Sequence, residues 1–179
     1  MNKNRIIAAV RNEEELKFAA ESKADMIFML NVNIMNLNYL SEIAHKSGKK
    51  FFIHLDLAEG IGKDAYGIKF AKDNGADGII STRSNIIKLA KKEDLYTVQR
   101  LFALDSQSIE TIIDTATSSK PDMVEIMPGL LPKVVKRLKS ELKMPIVAGG
   151  LIDSTEEITE LLSSGATAVS TGKKEFWNI

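Results

Sequence analysis

The 179-residue sequence has no cysteine and only two histidines, His45 and His54. Disulfides and every form of thiolate chemistry are excluded, and a multi-histidine metal site has nothing to be built from. Net charge is also missing: 24 Lys and Arg balance 24 Asp and Glu. A chain that holds nucleic acid by bulk charge is not indicated, so any such contact needs a local basic patch. No apolar run approaches the ~18 residues of a membrane span. The first such run, residues 6–10, is shorter than a signal-peptide core and is followed at once by charge. The expectation is a cytoplasmic protein.

What remains is an ordinary globular composition, 44% hydrophobic and 27% charged, and a length that suits one domain over residues 1–179. Chains near this size hide roughly 70% of their unfolded surface. Short apolar runs alternate with amphipathic segments. The runs fall at 6–10, 25–30, 50–55, 77–81, 97–101, 122–126, 145–148 and 166–170. Between them lie stretches such as LNYLSEIAHKSG and DAYGIKFAKDNG, each closed by a glycine, Gly48 and Gly75, at a helix C-cap position. The cycle repeats about every 20 residues, which implies βαβ units and a parallel sheet. Eight units point to a small closed (β/α)8 barrel of the TIM type, because an open flavodoxin-like sheet would strand several runs. The fold typically takes about 250 residues, so helices and loops must be minimal here, down to a single turn in one or two places.

Such a barrel works at the C-terminal ends of its strands, and alternation says which side chains point inward. In FFIHLD, Phe51, Ile53 and Leu55 face the helices, which sends His54 and Asp56 into the mouth. They are either functional groups or a buried polar pair that satisfies itself. In DMVEIMPG, Glu125 points inward with Met123 and Met127. A carboxylate there needs a partner, and Arg83 and Arg100 are the candidates. The pair is structural or ligand-binding. Arg11 and Asn31, at the ends of the first two strands, add polar groups to the rim.

The last two strands end in AGG and STG: Gly149 and Gly150, then Ser170, Thr171 and Gly172. Barrels commonly hold a phosphate between these two loops and a short extra helix. Glycine lets backbone amides approach the anion, and the tail KKEFW is read as the extra helix, with Lys173 or Lys174 adding charge. Lysines and arginines recur on two helical segments, at Lys88, Lys91 and Lys92 and at Lys133, Lys136 and Arg137. Taken alone each stretch reads as a solvated face. No aromatic residues are interleaved to stack on single-stranded bases.

The segments HLDLAEGIGKDAYG, DGIISTRS, VQRLFALDS, VEIMPG, PIVAGGLI and GATAVSTG, in that order, resemble the bacterial glycerol uptake operon antiterminator family. The resemblance runs over nearly the whole chain. It implies a regulator without catalytic residues, cofactor or resident metal. Such a protein binds glycerol 3-phosphate and acts on the leader mRNA of glycerol-utilisation genes so that transcription passes a terminator. The phosphate would lie at Gly149, Gly150, Ser170, Thr171 and Gly172. The hydroxyls would face His54, Asp56, Glu125 and Asn31, with Arg83 and Arg100 on the same rim. RNA contacts would fall to Lys88, Lys91, Lys92, Lys133, Lys136 and Arg137, joined across a homo-oligomer. Two other readings stand beside it. One is a phosphosugar isomerase, aldolase or phosphodiesterase on the same scaffold, although the only strand lysine, Lys50, sits at the wrong end for a Schiff base. The other is a phosphate-ligand sensor whose partner is a protein.

Overall fold

Residues 5–179 are described by a computed structural model. Eight parallel strands close on themselves in sequence order: β1 (Ile6–Val10), β2 (Met26–Met29), β3 (Lys50–His54), β4 (Gly78–Ser81), β5 (Tyr96–Phe102), β6 (Met123–Met127), β7 (Ile146–Gly149) and β8 (Ala168–Thr171). Helices α1 (Glu13–Glu21), α2 (Leu37–Lys46), α3 (Ala65–Asp73), α4 (Ser84–Lys92), α5 (Ser106–Ser119), α6 (Pro132–Glu141) and α7 (Thr155–Ser163) follow the first seven strands. None of the seven is a single turn. The economy falls in the loops and in the eighth unit, where a five-residue 3-10 segment, Lys174–Asn178, replaces a helix.

Local chemistry sets the helix ends. Asn12 caps α1 by accepting from the Glu15 amide, and Ser154 with Glu157 forms a reciprocal capping box on α7. The left-handed Gly48 and Gly75 end α2 and α3. At each end, the glycine amide and the next amide turn back to helix carbonyls. The same motif ends α4 with Asp94 at φ 54° in the glycine position.

Strand alternation divides the core in two. Ile6, Ala8, Phe51, Ile53, Val124 and Ile126 face outward and pack under the helices. Ile7, Phe28, Phe52, Ile80, Val98 and Val147 fill the barrel interior, with Ala9, Met26, Met123 and Ala168 against them. One step of alternation further along four strands, the inward residue becomes polar. Phe52 gives way to His54, Val98 to Arg100, Met123 to Glu125, and Ala168 to Ser170. The barrel therefore has an apolar plug and a polar floor above it, at the C-terminal end.

Candidate functional site

Glu125 is the centre of that floor. It is 1% exposed, and Arg100, its direct neighbour across the β5–β6 pairing, donates from Nε to Glu125 Oε2 at 2.6 Å. Ser170 Oγ donates to Glu125 Oε1, also at 2.6 Å. A buried carboxylate is tolerable because both its oxygens are occupied and an arginine balances its charge. Of the two candidate partners, Arg100 is the one that reaches it. Arg83 lies beyond the end of β4, exposed, with Nε 3.8 Å from Asp56 Oδ1.

Gly149 has a packing reason. A Cβ there would overlap Ser170 Oγ and lie 2.8 Å from Glu125 Oε1. The first glycine of AGG thus makes room for the Glu125–Ser170 bond.

His54 points inward as alternation requires and is only 4% exposed. Its Nδ1 is closed to solvent and has no hydrogen-bond partner among the described residues. Burial, followed by the positive charge of Arg100, holds the imidazole below its ordinary pKa of 6.5. The ring is neutral at pH 7, with one donor and one acceptor nitrogen.

Asp56 departs from the expected alternation. The chain leaves β3 at His54 and turns through the 3-10 segment Leu55–Leu57, so Asp56 swings toward β4. It accepts from Ser81 Oγ at 2.8 Å, Thr82 N at 2.7 Å and Thr82 Oγ1 at 2.9 Å. Burial alone would raise its pKa; the three hydrogen bonds outweigh burial and hold the carboxyl below its usual range. Asp56 clamps the β3 and β4 loops together at the edge of the mouth.

Around the last two strands, Gly150 takes φ +80° and Leu151 φ +59°, a left-handed pair that turns the backbone sharply after β7. Gly150 O accepts from Gly129 N at 3.0 Å, which ties this loop to the one after β6. Thr171 faces away from the barrel interior. Its hydroxyl accepts from the Lys173 amide at 3.1 Å, and its carbonyl accepts from Trp177 Nε1 at 2.8 Å. The tail does form a helical turn, but five 3-10 residues are too short to focus a macrodipole. Its work is to seat the fully buried Trp177 under the end of β8. Lys173 Nζ bridges the two loops through Asp153 Oδ1 at 2.8 Å, and Lys174 lies 3.6 Å from Glu14 Oε1.

Arg11 adds a positive group beside the turn after β8. It continues the inward set Ile7 and Ala9 by one step past β1, and its Nη1 lies 3.1 Å from where a Cβ on Gly172 would sit. Among the described residues its guanidinium has neither a hydrogen bond nor an ion pair. The period of two along β1 was the signal that could have promoted it.

Asn31 is not with the others. It belongs to the outward set of Ile27 and Met29, and lines a groove of about 430 Å³ with Asn12, Asn33, Asn36 and Glu59, which Arg11 also borders. The basic helices are also divided. Lys91 caps the Lys120 carbonyl at 2.6 Å and approaches Asp122 at 3.4 Å. Arg137 pairs with Glu110. Helix α5 packs between α4 and α6 and carries Glu110 and Asp114. Lys88, Lys92, Lys133 and Lys136 make no ion pair among the described residues. Nor do the described residues contain a cluster of three or more His, Asp or Glu arranged to hold a metal ion. Lys50, the one lysine on a strand among the described residues, is exposed at the N-terminal end of β3 and pairs with Asp77 at 2.9 Å.

The sequence matches the family described as "Glycerol-3-phosphate responsive antiterminator" over residues 6–177. The chain belongs to that family. A glycerol uptake operon antiterminator regulatory protein from Listeria monocytogenes is 35% identical, with a TM-score of 0.92 over 99% of this chain and 96% of that one. An antiterminator-related protein from Thermotoga maritima is 32% identical, with a TM-score of 0.87 over 97% of this chain and 98% of that one. An uncharacterized Escherichia coli protein, YgcP, is 34% identical over 100% of this chain and 94% of its own length. The barrel is shared more widely: a deoxyribose phosphate aldolase from Aeropyrum pernix superposes with a TM-score of 0.76 at 18% identity, over 98% of this chain and 88% of that one. At that identity the likeness concerns the fold alone.

Proposed function

We propose that this antiterminator takes glycerol 3-phosphate at the C-terminal mouth of the barrel and that the bound effector alters its hold on the leader mRNA of glycerol-utilisation genes. The observation that carries the reading is the Arg11 guanidinium beside Gly172, with no acceptor of its own. In this reading the phosphate lies against the turns at Gly150 and Gly172, where backbone amides can reach an anion, and Arg11 supplies the charge. Gly149, Ser170 and Thr171 shape those turns. The glycerol hydroxyls reach down to Glu125, His54 and Arg100, with Asp56 and Arg83 at the edge.

The protein acts by binding rather than by turnover. Glu125 is committed to Arg100 and Ser170, and Lys50 lies at the end of the barrel away from the mouth. RNA falls to the unpaired lysines, Lys88 and Lys92 on α4 and Lys133 and Lys136 on α6. A homo-oligomer would bring such faces together across the acidic α5. This function belongs in the cytoplasm, and no helix among the described residues is long and apolar enough to cross a membrane.

Filter binding of leader RNA, titrated with and without glycerol 3-phosphate, tests the reading. An effector can shift RNA affinity only if it binds two states unequally, so a change in affinity is expected and an unchanged curve contradicts it. Release of product from glycerol 3-phosphate by the purified protein would favour an enzyme instead.

A further inference from the structure

The mouth of the barrel has no lid of its own. Residues 55–64 form the longest connection between a strand and the next helix, and the other such loops run to seven residues or fewer. Yet these short loops carry much of the exposed apolar surface. Of the twelve exposed large apolar side chains among the described residues, seven lie in them or on the last residue of a strand. They form two arcs. Met35 and Leu57, with Ile34, flank the mouth after β2 and β3, and Phe102, Leu104, Leu130 and Leu151 flank it after β5, β6 and β7. Single exposed leucines are ordinary, but these seven surround one opening. At ~200 Å² for a fully exposed side chain of this size, they present on the order of 900 Å² of apolar residue surface. A stable interface covers about 800 Å² on each partner, a little over half of it apolar, so the two arcs suffice for one.

Charge indicates what covers them. In these loops Arg11, Lys63, Arg83 and Lys173 meet five carboxylates. RNA and anionic lipid are drawn to an excess of positive charge, and this face carries no such excess. Being nearly balanced, it can meet a copy of itself without net repulsion.

We propose that the C-terminal face of the barrel is a self-association surface, on which a second copy of this chain closes the mouth. The inference does not depend on which molecule occupies the mouth. The strands run in sequence order around a closed ring. A twofold axis lying across the face, through the loops after β4 and β8, therefore carries the loop after β5 onto the partner's loop after β3, and the loop after β6 onto the partner's loop after β2. Apolar arc meets apolar arc twice over, as an isologous contact requires. Leu104 then faces Leu57 of the other copy, and Leu130 faces Met35. Each copy supplies the lid that the other lacks, and a molecule in the mouth is exchanged when the two separate.

Sedimentation velocity of the full chain, from about 1 to 100 μM, tests this. A concentration-dependent dimer is expected. Leu104→Lys and Leu57→Glu change exposed side chains and should leave thermal unfolding unmoved. Each should weaken the dimer about tenfold or more, by burying an unpaired charge in the interface. Carried in one chain, the two changes set lysine against glutamate at both contacts and should recover part of that loss. A monomer throughout, a dimer indifferent to both single changes, or a double variant no better associated than either single one would overturn the inference. Loss of leader-RNA binding in variants that remain dimeric would assign the face to RNA and overturn it as well.

Discussion

Arg100 Nε and Glu125 Oε2 lie 2.6 Å apart on directly paired residues of β5 and β6, both nearly closed to solvent. The pair forms one wall of the mouth, and Ser170 completes it from β8 across the Gly149 gap. Removing one partner leaves the other charged and alone in the barrel. Arg100→Met is therefore expected to cost about 3–5 kcal/mol, and Arg100→Met with Glu125→Leu less than the sum of the two single changes. Urea unfolding of the four proteins in the cycle measures the coupling. Additive effects would mean that the pair contributes nothing as a pair.

Gly149→Ala should destabilise the fold by about 1–3 kcal/mol, because the new methyl overlaps Ser170 Oγ. Adding Ser170→Ala removes that oxygen and should return part of the loss. Thermal unfolding of single and double variants decides it. If Gly149→Ala were neutral, the glycine would not be held by the Glu125–Ser170 bond.

His54 should make the free protein less stable than it could be. The folded-state pKa is depressed below 6.5, so the unfolded chain takes up a proton that the folded chain refuses. Stability is fully present above pH 6.5 and is lost as the pH falls through the depressed folded value. His54→Leu is expected to raise stability by about 1–2 kcal/mol near neutral pH and to flatten the decline on acidification. Denaturation curves at a series of pH values check both. An equal slope in the variant would place the titrating group elsewhere.

Trp177, the chain's one tryptophan, is a built-in reporter. Its indole N–H holds the Thr171 carbonyl at 2.8 Å, one residue before Gly172. Glycerol 3-phosphate should change its fluorescence with a saturating dose response. Trp177→Ala should cost about 3–5 kcal/mol by opening a cavity under β8. A spectrum unmoved by a ligand that calorimetry shows to bind would put the ligand away from this loop.

Much of this was legible in the sequence, for identifiable reasons. The period of two placed Phe51, Ile53 and Leu55 outside and His54 inside, and it put Glu125 on the inner face with Met123 and Met127. Repetition of the βα unit supplied the barrel. Side-chain directions depart from the simple count mostly where regular strand geometry stops. Asp56 and Arg83 lie just past strand ends, where a 3-10 turn or a loop resets the direction of the side chain. Asn31 and Thr171 fall on the outward parity of their strands, and counting from Ile27 or Val169 would have shown it. Glycine serves both amide exposure and close packing, and at Gly149 the structure adds the second reason, Ser170 Oγ in the space of the missing Cβ. The lysine and arginine stripes on α4 and α6 could be counted, but the partners that occupy Lys91 and Arg137 come from other units of the barrel.

The most direct measurement of the central claim is a crystal structure of the protein with glycerol 3-phosphate bound. The phosphate should sit within hydrogen-bond distance of the Gly150 or Gly172 backbone amides and beside Arg11, with a hydroxyl at Glu125 or His54. Ligand density in the asparagine-lined groove or on the helices, with the mouth left open, would contradict the account.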